Sequence, residues 1–162
     1  MPTLMTQPNF VETTIAEPGI RETLESILGQ QRSGVLATSF MDIPLCSQMA
    51  FVAAHDLRTL ILVTPRQTAK YDNMSANPNV SFLISTARND PSDPASAQAV
   101  TVTAFATELD GERRHRAVTL FSKRHPELSA FAAASDSAVM ELKVDSYSLV
   151  NNFQKQTRIG LG

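Results

Sequence analysis

Cysteine is nearly absent. Cys46 is the only one in 162 residues, which excludes an internal disulfide and any metal or iron–sulfur centre built from several thiolates. Its place inside an apolar, strand-like run reads as a small buried hydrophobe rather than a nucleophile. Glycine-rich phosphate loops are missing too, since none of the six glycines falls in a G-x-G-x-x-G or G-x-x-x-x-G-K-[ST] frame. The three histidines, His55, His115 and His125, show no i, i+4 pair and no H-E-x-x-H frame, which argues against a zinc hydrolase, and Ser39 and Ser47 lack the context of a nucleophile elbow. An excess of one charge is also missing: the formal net charge is −2 with acids and bases interspersed, so there is no basic stripe for a nucleic-acid backbone. No run approaches the roughly 20 apolar residues of a membrane span, and Met1–Pro18 does not pair a basic start with an apolar stretch. The expectation is a soluble, cytoplasmic protein that binds neither nucleic acid nor membrane.

What remains is one domain's worth of patterned chain, 43% apolar and 19% charged. Residues 1–19, broken by Pro2, Pro8 and Pro18, lack a period and read as a loose arm ahead of a domain over residues 20–162. Ile20, Leu24, Ile27 and Leu28 recur at i, i+4, i+7 and i+8, one face of a helix ending near Gly29. The period then shortens to that of strands: Val35–Phe40, Cys46–Ala54, Thr59–Thr64 and Val80–Thr86 are short β-rich runs between turn residues. Separators as short as Asp42-Ile43-Pro44 and His55–Arg58 permit antiparallel hairpins but not parallel crossovers. A short helix over Thr68–Ala76 stops before Pro78, and Arg88–Ala97 reads as a solvated loop. Gln98–Leu109 is a long one-faced strand. Glu112–His125 is an amphipathic helix with Ala117, Val118, Leu120 and Phe121 inward, Pro126–Ala134 continues as a second helix, and Val139–Val150 is the last strand, its phase shifting near Ser146 as at a bulge. Six antiparallel strands that close on themselves make a mainly β barrel with peripheral helices.

The stretch Val63-Thr64-Pro65-Arg66-Gln67-Thr68-Ala69-Lys70 carries the clearest chemistry. A strand end supplies the Thr64 hydroxyl, a helix start supplies Thr68 and free backbone N–H groups, and Lys70 adds a positive charge in the first turn, so three kinds of donor converge on one anion. The same residues also fit an ordinary helix cap, with Thr68 as cap and Lys70 as a solvated charge.

Placed in this order, "GVLATS", "TLILVTPRQTAKYDNMSANPNVSFLIS" and "QAVTVTAFATELDG" resemble the flavin-binding split barrels related to pyridoxamine 5'-phosphate oxidase, over roughly Leu28 to Phe153. The resemblance implies a six-stranded antiparallel split barrel, a symmetric homodimer and FMN in a groove between the subunits. It implies Thr64, Thr68 and Lys70 at the phosphate, Val63 along the ribityl chain, Asn73 hydrogen-bonded nearby, Gln48 and Met49 along the isoalloxazine ring, and Gln98 approaching the flavin near the subunit boundary. Core packing is the alternative for Met49, and a solvent-facing amide for Gln48 and Gln98.

The chain also departs from the vitamin-processing relatives. Ala69 and Gln48 stand where those carry arginines beside the phosphate, and the end Asn151–Ile159 lacks their basic segment. Pyridoxamine phosphate is therefore not the expected substrate. "NDPSDP", "RHPEL" and "VNNF" look more like the haem-utilisation branch, which makes His125 a candidate haem ligand, against a capping or solvated histidine. The implied function is a flavin-dependent oxidoreductase acting on a small redox substrate, with no catalytic side chain assigned. An FMN electron carrier or sensor, a haem-binding protein and a barrel without cofactor are the alternatives.

Overall fold

The computed structural model describes residues 10–151 and 154–162; residues 1–9 of the arm, and Asn152 and Phe153 of the VNNF segment, lie outside them. The chain runs β1 (Phe10–Thr14), α1 (Pro18–Gln30), β2 (Ser33–Phe40), β3 (Ile43–Ala50), β4 (Val52–Ala53), β5 (Thr59–Pro65), α2 (Ala69–Ala76), β6 (Asn79–Ser85), α3 (Asp93–Ser96), β7 (Ala99–Glu108), α4 (Gly111–Arg124), a 3-10 turn (Pro126–Leu128), α5 (Ser129–Ala133), β8 (Ser137–Asn151) and β9 (Lys155–Gly160). The mainly β architecture with peripheral helices is as expected, but the described residues form nine strands rather than six. Three differences account for the excess. The run 46–54 is two strands interrupted at Phe51. A strand, β9, follows the one read as last. Residues 10–14, read as loose arm, pair in parallel with β9.

The sheet follows the order β1-β9-β8-β7-β6-β2-β3, with β5 bonded to β8 and β4 to β5. β8 is the hub. Its first half pairs with β5 from Ser137 to Lys143 and its second half with β9 from Ser146, while β7 accompanies both. The change of neighbour falls at the anticipated bulge: Thr103 opposes Ser146 but Ala104 opposes Val144, so Asp145 is the extra residue. β3 packs near β5 without a ladder between them, and the barrel is split there. The β2–β3 hairpin turns on Met41 and Asp42, with φ of 50° and 62°, the left-handed pair of a two-residue primed turn rather than the three-residue separator expected. At Gly34 a Cβ would meet the Leu83 carbonyl oxygen at 2.6 Å, so only glycine allows β2 to lie this close to β6.

Two apolar clusters explain why β5 is buried along nearly its whole length. Leu60 and Leu62 point into the barrel with Leu36, Phe82, Val102, Leu142 and Tyr147. Ile61 and Val63 point the other way and pack under α4 and α5 with Ala117, Phe121 and Ala132. Leu120, expected inward on α4, is 36% exposed instead. The Tyr147 hydroxyl donates to the Leu57 carbonyl at 2.6 Å, and burial raises its pKa above the ordinary tyrosine value. β3 is an edge strand with one open face, and Cys46 lies on that face. It is exposed, contrary to the buried hydrophobe expected.

Candidate functional site

The turn between β5 and α2 is built from local rules. Pro65 ends β5, Thr68 adopts extended geometry, and its hydroxyl accepts the Tyr71 N–H at 3.3 Å as the cap of α2. Thr68 Oγ1 also donates to the Pro65 carbonyl at 2.9 Å and lies 3.2 Å from Thr64 Oγ1. The capping alternative is thus realised. It does not use up the helix start, because the N–H groups of Ala69 and Lys70 have no acceptor among the described residues. Thr64 is 1% exposed. Lys70 is half-buried and makes no ion pair among the described residues. Two hydroxyls that can rotate, two amides and one ammonium therefore cluster on one turn, a donor set suited to a phosphate.

Asn73, one helical turn on, donates from Nδ2 to Thr38 Oγ1 at 3.0 Å and ties α2 to β2. The Val63 side chain is enclosed under α4 and α5, and its backbone faces the other way. The Leu109 N–H donates to the carbonyl of Val139, so Val139 faces β7, and Val63 opposite it directs its own N–H and C=O away from β8 toward the split. Met49 is 7% exposed and packs in the barrel core, which matches its core-packing alternative. Gln48 is exposed on the open face of β3 and donates to Ser33 Oγ at 3.0 Å.

Gln98 is not brought to the others within one chain. It precedes β7, where its N–H donates to Thr86 Oγ1 at 2.8 Å and its carbonyl accepts the Thr86 N–H at 2.9 Å. The opposite end of that ten-residue strand lies beside the Thr64 turn, about 30 Å away at roughly 3.3 Å per residue.

Sequence reasoning missed an ionic cluster beside the turn. Glu108, at the end of β7, accepts Arg66 Nη2 at 3.0 Å and the Tyr71 hydroxyl at 2.6 Å. Arg66 Nη1 also donates to the Ser135 carbonyl at 2.7 Å. The hydrogen bond from Arg66 holds the Glu108 carboxyl below the ordinary carboxylate range, and the same carboxylate raises the pKa of Arg66 and Tyr71. Arg66 and Glu108 are 42 residues apart, so no local pattern announces the pair.

His125 caps the C-terminus of α4 but is not solvated. It is 1% exposed, its ring lies 4.9 Å from that of Phe121, and Nε2 sits 2.7 Å from the Phe51 carbonyl, to which it must donate. Nδ1 then accepts from Arg32 Nη2 at 3.4 Å. Both ring nitrogens are engaged. His55 and His115 are exposed, and among the described residues no three His, Cys, Asp or Glu side chains gather as a metal site.

Among the described residues, a nine-stranded sheet curled into a barrel that stays split between β3 and β5, with a donor-rich turn at a strand end, defines the class: the split barrels. Within that class, residues 20–151 match the family model of pyridoxamine 5'-phosphate oxidase, and the chain belongs to that family. No curated protein matches it. Among solved structures it is similar to a haem-binding protein from Mycobacterium smegmatis, with 19% identity and a TM-score of 0.77 over 89% of this chain and 59% of that one. It is similar to ChuZ from Campylobacter jejuni, with 18% identity and a TM-score of 0.75 over 88% of this chain and 59% of that one. A FAD-binding protein from Mesorhizobium loti has 17% identity and a TM-score of 0.64 over 80% of this chain and 90% of its own. The chain thus spans about three fifths of the first two. At these identities the likeness is one of fold.

Proposed function

We propose that this chain binds FMN through the Thr64–Lys70 turn and acts, as a homodimer in the cytoplasm, as a flavin-dependent oxidoreductase on a small redox substrate. The observation that carries the reading is the half-buried Lys70, unpaired among the described residues, beside the amides of Ala69 and Lys70, which have no acceptor among them, at the place in the fold where the family resemblance puts a phosphate. When bound, the flavin would supply the electron and hydride chemistry. The chain's residues would bind and orient it: Thr64, Thr68, Lys70 and the two amides at the phosphate, the Val63 backbone at the split, Asn73 bracing α2, and Gln48 and the backbone of Met49 along the ring. Ala69 and Gln48, in place of arginines, leave the phosphate with fewer cationic contacts.

The position of Gln98 supports the dimeric reading. A residue about 30 Å from the turn reaches the same flavin only from a second copy of the chain. Haem is less well supported, because a ligand role for His125 would break its bond to Phe51 and expose a buried ring. The test is a titration of the purified protein with FMN and with riboflavin, followed by the visible flavin spectrum. FMN is expected to bind at least tenfold more tightly. Equal affinities would overturn the phosphate assignment, and a Soret band on adding haemin without a flavin response would favour the haem reading.

A further inference from the structure

We infer that Glu108 is a positioning residue for the phosphate turn, clamping it from both sides so that its donors keep one geometry. The inference rests on the FMN reading of that turn. Arg66 lies two residues before Thr68 and Tyr71 one residue after Lys70, and both side chains end on the same carboxylate. Glu108 Oε1 accepts the Tyr71 hydroxyl at 2.6 Å, and Oε2 accepts Arg66 Nη2 at 3.0 Å. The Arg66 side chain spans on to the Ser135 carbonyl at 2.7 Å, and its backbone N–H donates to the Asp136 carbonyl at 3.1 Å, fastening the turn to the residues that lead into β8 as well as to the end of β7. Between the two clamps lie Thr68 and the amides of Ala69 and Lys70. Bonds among Thr64, Pro65, Thr68 and Tyr71 add to the cluster from within the turn, and Asn73 ties the helix that follows it to β2.

The charge balance gives the cluster a second consequence. Arg66 is the other cation of the turn, and Glu108 engages it through both Nε and Nη2. Among the described residues Lys70 is left as the cation of the turn without an ion-pair partner, so phosphate recognition depends on where Lys70 and the neighbouring amides point rather than on the amount of positive charge nearby. Arg114 also contributes to the field at Glu108, but its guanidinium is spent on the Ser137 and Ala134 carbonyls.

The test compares Glu108→Ala, Glu108→Gln and Tyr71→Phe with the unchanged protein, measuring FMN and riboflavin affinities and the thermal stability of the flavin-free chain. Glu108→Ala is expected to lower FMN affinity about tenfold and leave riboflavin affinity within twofold, which a merely structural role would not do. Glu108→Gln, whose amide oxygen still accepts from Tyr71 and Arg66, should recover part of the loss. If Glu108→Ala does not fold, Tyr71→Phe, which removes one clamp and keeps the ring, should still lower the FMN-to-riboflavin ratio severalfold. An unchanged ratio, an equal loss for both flavins, or a gain in FMN affinity from a released Arg66 would each overturn the inference. An unchanged protein that does not distinguish the two flavins would instead remove the FMN reading, before any variant is compared, and the inference with it.

Discussion

The two ends of β7 hold the two halves of the proposed flavin site, and they are built differently. At the Glu108 end a carboxylate gathers an arginine and a tyrosine, and the adjoining turn is capped, cross-linked and fastened both to β7 and to the segment ahead of β8. At the other end Gln98 is held by its backbone to Thr86, and its half-buried side chain has no hydrogen-bond partner among the described residues. The first end has the organisation of a site that orients a ligand by itself, whereas the second presents a single amide to whatever approaches it. The contrast explains how one chain can belong to this family and yet leave the proposed site incomplete. The ends lie too far apart to meet on one flavin unless two copies associate about a twofold axis across an isologous interface.

The contrast predicts unequal effects. Lys70→Ala removes a charge-assisted contact of about 1.5–3 kcal/mol, so FMN affinity should fall roughly tenfold to a hundredfold while riboflavin affinity and the flavin-free melting temperature hold steady. Titration of both flavins checks this, and an unaltered FMN affinity would return Lys70 to the solvated surface. Gln98→Ala removes one neutral hydrogen bond, about 1 kcal/mol, and should weaken FMN and riboflavin alike by roughly fivefold, because its expected contact is not with the phosphate. Selective loss of FMN in this variant would reverse the assignment of the two ends.

Acid should distinguish the ends more gently. The carboxyl of Glu108 is held below its ordinary value of 4.5 by Arg66 and Tyr71, so its contribution to folding is present above that value and fades as pH falls through the lowered one. The pair is partly solvent-exposed, at 36% and 29%, which reduces the effect to on the order of half a kcal/mol, or about 1–2 °C in melting temperature. The difference in melting temperature between the unchanged protein and Glu108→Gln should therefore shrink between about pH 5 and pH 3. A difference that stays constant across that range would mean that the charge of Glu108 contributes nothing to the fold.

Much of the Glu108 end was legible in the sequence because its signals are local. The β-branched run Thr59–Thr64, the cap Thr68 and the stop before Pro78 specify strand, turn and helix within twenty residues, and all three stand in the structure. The clamp was not legible, since it joins Arg66 to a carboxylate on a strand whose place beside the turn depends on β8. β9 and β1 escaped for a related reason. Lys155–Gly160 has little alternation of its own and becomes a strand by lying along the second half of β8, after which residues 10–14 complete the edge. Cys46 shows the limit from the other side. Its strand is evident, but which face of an edge strand remains open is decided by the split of the barrel, not by the residues of that strand.

The central claim, that one flavin site takes Lys70 from one subunit and Gln98 from the other, is tested most directly by subunit complementation. Lys70→Glu places a repelling charge at the phosphate, and Gln98→Trp places a ring where the amide should meet the flavin, so each variant alone should bind little FMN. Mixing equal amounts and allowing subunits to exchange makes about half of the dimers mixed, each with one intact and one doubly altered site, so FMN binding should return to roughly a quarter of the unchanged protein's capacity. No recovery, with mixed dimers confirmed by native mass spectrometry, would contradict the shared site.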